Sequence, residues 1–240
     1  MEIVVFIIIF SKNRQLRVAL YTENPYLSAQ KHYSKKTTYS QGKFMNPLMS
    51  IKGTIAVGFI IAIAVAFGVG SGLDGLISSL TVWLHVLAGV AWIGLLYYFN
   101  FVQVPGVGKA LAEANDGGPG PAAINKYIAP PALLWFRMAA AVTWLTGAAA
   151  LMKLGIFADA FMFKEGTAVI GVGAWLGTIM LFNVWVLIWP NQKKILGLDG
   201  KEHSADTIAG AKKVALLASR TNTVLSIPML LCMVGFAHGL

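Results

Sequence analysis

Residues 76–104 read LISSLTVWLHVLAGVAWIGLLYYFNFVQV, without one Asp, Glu, Lys or Arg. An α-helix rises about 1.5 Å per residue, so about 20 such residues cross the hydrocarbon core of a bilayer. This stretch is long enough to tilt or to project beyond it. Four more apolar stretches accompany it, at 53–70, 130–153, 167–189 and 222–240. The expected fold is an all-α integral membrane protein built as a five-helix transmembrane bundle. The lipid bilayer is its first partner.

Composition supports that reading. The chain has 240 residues, 57% hydrophobic and 12% charged, where soluble domains carry about 25% charged residues. A water-soluble fold could not hide that much apolar surface. The net charge of +9 raises nucleic acid as a partner, but the basic residues flank apolar stretches and no soluble domain is visible. Most of them, 14 of 19, sit in the first 52 positions and in 193–220, as juxtamembrane anchors do. Nucleic acid is therefore excluded as the expected partner. Cys232 is the single cysteine. That leaves no intrachain disulfide and no C-x-x-C-H haem attachment.

Lys and Arg also set the expected orientation. Lys43 and Lys52 precede the first span. Lys193, Lys194, Lys201, Lys212, Lys213 and Arg220 lie between the fourth and fifth. With five spans these segments fall on one side, which the positive-inside rule makes cytoplasmic. The N-terminus is then cytoplasmic and the C-terminus outside. Pro105 and Pro190 are expected to end the second and fourth spans, with a loop after Pro105. Pro130 and Pro131 are expected in the first turn of the third, where proline is tolerated. Residues 205–220 read either as a short interfacial helix or as a solvated helix-rich loop.

Residues 1–44 differ in style. They hold one glycine, Gly42, and two alanines, and are rich in Lys, Tyr, Ser and Thr. Two readings stand: a disordered basic leader, or a start-site artefact with the true start at Met45 or Met49. The second is favoured. Residues 45–240 are read as one transmembrane helical domain.

Candidate chemistry begins with His85. His85, Gly89 and Trp92 are spaced i, i+4, i+7 and share one helix face. A histidine in hydrocarbon must meet a partner or a cavity. Gly89 removes bulk beside it, so that a flat macrocycle or another helix can approach. His238 lies near the outer end of the last span, in the same half of the bilayer. Two neutral imidazoles facing each other are the minimum for bis-histidine ligation of b-type haem. Haem b held by His85 and His238 is the expected cofactor. The plainer alternative gives the histidines only helix-bridging roles, as in a membrane scaffold. Arg137, with Asn100, Asn183, Asn222 and Arg220, forms a second polar group on the cytoplasmic side. Arg137 could hold an anionic substrate or a haem propionate, or snorkel to the interface. A solute carrier using Arg137 for an anion is the weakest reading, since no inverted repeat is evident. Trp185 and Trp189 with Asn191, Gln192, Lys193 and Lys194 read as an interface belt, and Gly173 with Gly177 as a helix-packing stripe.

Four blocks resemble the membrane domain of the urate oxidase N-terminal family. They are Trp83-Leu84-His85-Val86 through Gly89, Ala91-Trp92-Ile93-Gly94 and Tyr98; then Thr143-Trp144-Leu145-Thr146-Gly147; then Leu176-Gly177-Thr178-Ile179-Met180 with Asn183, Pro190, Gln192 and Lys193; then Asn222, Leu225-Ser226-Ile227-Pro228 and His238. The resemblance implies a multi-pass protein of the bacterial cell membrane. Longer members oxidise urate and pass electrons to a fused cytochrome c domain. For this chain it implies a haem-associated electron-transfer or oxidoreductase domain that needs a separate cytochrome c. The chain departs from those members in having no haem-attachment motif. It also has no histidine near Gly171 or Thr221, and no acid near Ala139.

Overall fold

The computed structural model describes residues 46–70 and 72–240. The two readings of residues 1–44 lie outside the described residues. Every regular element among the described residues is helical. The α-helices are α1 (Ile51–Gly68), α2 (Gly72–Tyr98), α3 (Val104–Glu113), α4 (Ala129–Lys153), α5 (Phe157–Phe161), α6 (Ala168–Phe182), α7 (Trp189–Ile195) and α8 (Ala205–His238). Contacts divide the chain within α1, after Ile60, and the bundle described below belongs to Ile61–Leu240.

Five helical runs are long and apolar enough to cross a membrane: Ile51–Gly68, Gly72–Asp116, Ile124–Lys153, Ala168–Ile195 and Ala205–His238. Their number matches the expectation, but four of their ends do not: the second and fourth run further, and the third and fifth begin earlier, at Ile124 and Ala205. Pro105 does not end the second run, nor does Pro190 stop the fourth. The helix passes through each and continues as α3 and α7. Residues 205–220 are not a separate interfacial element either, because α8 runs unbroken from Ala205 to His238.

The prolines are accommodated by π turns. A proline in a helix donates no hydrogen bond, and its ring crowds the carbonyl four residues back. Here the residue before each proline reaches five residues back instead. Val104 N–H donates to Phe99 O, Ala129 N–H to Ile124 O and Trp189 N–H to Val184 O. The resulting π segments are Phe99–Gln103, Ile124–Ile128 and Asn183–Ile188. Pro228 sits inside α8 without one.

Helix α2 packs mainly on α4, and α6 on α8. Their shared core holds Trp92, Leu96, Phe136, Ala140, Met180, Val184 and Met229. The outward faces are apolar too: Val90 is 68% exposed and Val224 67%. Water-soluble monomers rarely present such continuous apolar surface, and lipid is the solvent that accepts it. At one end Lys153 Nζ donates to the carbonyls of Ile77 and Ser78, tying the end of α4 to the start of α2. Gly173 allows a close approach of α6 to α8, since a Cβ there would stand 3.1 Å from Cys232 Cβ. Gly177 does not share that role, because a Cβ there would meet nothing within 4 Å.

Candidate functional site

His85 points at α4. Its Nδ1 lies 2.8 Å from the carbonyl oxygen of Thr143. A carbonyl only accepts, so Nδ1 carries the proton and donates. The other ring nitrogen, Nε2, has no hydrogen-bond partner among the described residues. The ring rests against Gly147, where a Cβ would stand 2.8 Å from His85 Cε1. Gly89 also faces α4, with its missing Cβ 3.7 Å from Thr143 Cγ2. The neighbour that Gly89 admits is thus a helix. Trp92 is a core residue, 1% exposed, and its indole N–H has no partner among the described residues.

His238 is elsewhere. It is the exposed last residue of α8. Height can be carried across the bundle through contacts. His85 is level with Thr143, Trp144 Nε1–H donates to Thr178 Oγ1, and Asn222 Nδ2–H donates to Met180 O. Gly173 meets Met229 and Cys232. His85 therefore lies level with the part of α8 between Asn222 and Met229. His238 is nine residues past Met229, about 13 Å further along the axis. The structure does not bring the two imidazoles to one height, so a single haem between them does not fit this arrangement. Among the described residues no three of His, Cys, Asp and Glu gather as a metal site.

The four sequence blocks do interlock. His85 joins the first to the second at Thr143, Trp144 the second to the third at Thr178, and Asn183 Nδ2–H donates to Asn222 Oδ1 between third and fourth. Tyr97, beside Tyr98 of the first block, has its OH 3.0 Å from Ser226 Oγ of the fourth. Asn222 and Ser226 are fully buried. Polar side chains in such a place are costly unless paired, and these are paired across helices.

A second region has the shape of a site. A cleft of about 280 Å³ opens near the end of the bundle, lined by residues from all three π segments. Phe99 and Gln103 come from the first, Asn125 from the second and Ile188 from the third. Leu133 and Phe136 of α4, Gln192 of α7, and Lys212 and Ser219 of α8 complete the parts that matter here. π turns inside α-helices are frequent at functional sites. Two buried carbonyl oxygens in this region, Gln103 Oε1 and Asn100 Oδ1, have no donor among the described residues. Asn100 is oriented by its amide N–H groups, which donate to Leu96 O and Ser219 Oγ. An unpaired buried acceptor carries a desolvation cost of about 1–3 kcal/mol, so a ligand bringing N–H groups would gain there. Lys212 is the one charged residue of the lining among the described residues, and it is exposed. Two phenyl rings, three amides and one cation suit a small flat anion with N–H donors. The volume is at the small end for ligand sites.

Arg137 does not line this cleft. Its guanidinium carbon lies 3.7 Å from the centroid of the Trp189 ring, and Lys193 Nζ approaches the same ring at 5.7 Å. Of the polar group expected beside Arg137, Asn100 joins α8 through Ser219, and Asn183 and Asn222 bind each other. Sequence reasoning missed Gln103, Asn125, Lys212 and Ser219 as a set. The signal was present in the prolines at 105, 130 and 190, each read as a span boundary.

The apolar faces, the five runs and the buried polar bridges define a multi-pass helical membrane protein. A family model described as urate oxidase N-terminal matches residues 152–239. That stretch holds the third and fourth blocks and contributes Ile188, Gln192, Lys212 and Ser219 to the cleft. The first two blocks lie outside it. No curated protein and no solved structure matches the chain.

Proposed function

We propose that the chain is a urate-oxidase-like membrane domain that holds a small planar anion bearing N–H groups in the cleft between the π turns. The carrying observation is the convergence of three proline-linked π turns on a pocket with phenyl walls, amides and Lys212. Urate is the first ligand to test, from the likeness to the family matched over residues 152–239. In this reading the cleft faces the cytoplasm, since Lys193, Lys194, Lys212 and Lys213 lie at its end of the bundle.

The test is calorimetric titration of urate into detergent-purified protein. Gln103→Met keeps the side-chain volume and removes the acceptor. We expect it to weaken binding about tenfold, the loss of one good hydrogen bond. Unchanged affinity in that variant, or no urate binding to folded wild type, removes the cleft from this role.

Electron transfer belongs to the same proposal, through a separate cytochrome c as acceptor. Haem b rests on His85 alone, whose Nδ1 is tied to a backbone carbonyl as in ligating histidines. Reduced-minus-oxidised spectra of haem-supplied protein, with and without His85→Ala, decide it. A second reading is favoured by the interlocked bridges: a membrane scaffold in which His85 only joins α2 to α4. That reading expects neither a urate heat nor a haem band.

A further inference from the structure

Two cations meet on one indole without a carboxylate. Arg137 and Lys193 both lie within 6 Å of the Trp189 centroid, the range of cation–π attraction. The ion pairs among the described residues are Lys164–Asp159 and His203–Asp199, so neither cation is neutralised. Arg137 comes from α4 and is half-buried. Lys193 comes from α7 and is also half-buried. No hydrogen bond holds the guanidinium N–H groups among the described residues.

Stacking on a ring occupies the face of a guanidinium and leaves its edge. The edge carries N–H donors in a fixed fork that matches two oxygens of a phosphate. Trp189 therefore pre-orients Arg137 for an oxyanion lying in the guanidinium plane, and Lys193 adds a second charge beside it. Depth selects the anion. Trp135 is 63% exposed and Trp185 38%, and exposed indoles of membrane proteins concentrate at the headgroup level. The anion abundant at that level is the lipid phosphodiester.

We propose that Arg137, Lys193 and Trp189 form a binding site for the phosphodiester headgroup of an anionic membrane lipid. The site lies outside the ligand cleft and does not depend on the reading of that cleft. The same chemistry would accept a soluble phosphate, so the experiment separates the two sources.

Full-length protein is purified in a mild detergent, and bound lipid is counted and titrated by native mass spectrometry. The probes are phosphatidylglycerol, phosphatidylcholine and inorganic phosphate. We expect one phosphatidylglycerol to bind most tightly, phosphatidylcholine to bind more weakly, and inorganic phosphate not to displace the lipid. Arg137→Gln should weaken phosphatidylglycerol about tenfold. Arg137→Lys should fall between, because an ammonium cannot fork or stack as a flat ion. Lys194→Gln, a neighbouring charge not on the indole, should change affinity by no more than about twofold. Should Arg137→Gln fail to fold, the wild-type probe series and Arg137→Lys carry the test. Wild-type affinity in Arg137→Lys overturns the site. So does an equal loss in Lys194→Gln, which means diffuse surface charge. Displacement of the lipid by millimolar inorganic phosphate overturns the lipid assignment.

Discussion

A methyl group added at Gly147 would stand 2.8 Å from His85 Cε1 and 2.9 Å from Nδ1. Real side chains do not approach so closely, so Gly147→Ala must push the imidazole off the Thr143 carbonyl. We expect a loss of about 1–3 kcal/mol, as for other overpacked positions, measured as unfolding in mixed micelles. The loss should largely vanish in the His85→Ala background, because the clash partner is gone. Additive losses in that double-mutant cycle would mean that Gly147 matters for another reason. This residue pair also shows how far a motif can be read at its own scale. Spacing put His85, Gly89 and Trp92 on one helix face, and they are there. It left open whether the space beside them holds a cofactor or a backbone, and here α4 fills it.

Helices that pass through proline are the element-scale feature of this chain. At Pro190 the ladder slips from four residues to five, and the turn Asn183–Ile188 widens. That slip rotates α7 relative to α6 and presents Gln192 to the cleft. Pro190→Ala restores a donor for the carbonyl of Val186 and removes the ring's steric demand. We expect the helix to gain up to about 3 kcal/mol, the interior penalty of proline, and ligand binding at the cleft to fall. A melting curve and a ligand titration on the same preparation check both. A variant that melts lower and binds as before would separate the π turn from the site. The result we expect is a trade of stability against function.

For the whole molecule, the arrangement of charge fixes a testable topology. The basic segment between the fourth and fifth runs, with Lys193 through Arg220, is expected inside the cell. The turn holding Asp159, Lys164 and Glu165 is expected outside. Single cysteines at Glu165→Cys and Lys201→Cys, in a Cys232→Ser background, make this direct. A membrane-impermeant thiol reagent on intact cells should label the first, and should reach the second only after permeabilisation. The reverse pattern would invert the bundle and put the cleft on the outer face.

Five helices long and apolar enough to cross a bilayer, and the Lys and Arg residues that flank them, were legible in the chain before any fold was known. Both follow from local rules, since a run of apolar residues must satisfy its own backbone in lipid. The chain also showed which polar residues are out of place there: His85, Arg137, Asn183 and Asn222 all proved to have specific partners. What those partners are became visible when the helices were packed together. His85 meets a backbone carbonyl 58 positions away, Arg137 an indole on α7, and Gln103, Asn125 and Lys212 share a cleft. The physical reason is that hydrophobicity sets which segments enter the membrane but not how they rotate or slide within it. Rotation and height depend on close packing at glycines and on the π turns at prolines, which act between helices rather than along them.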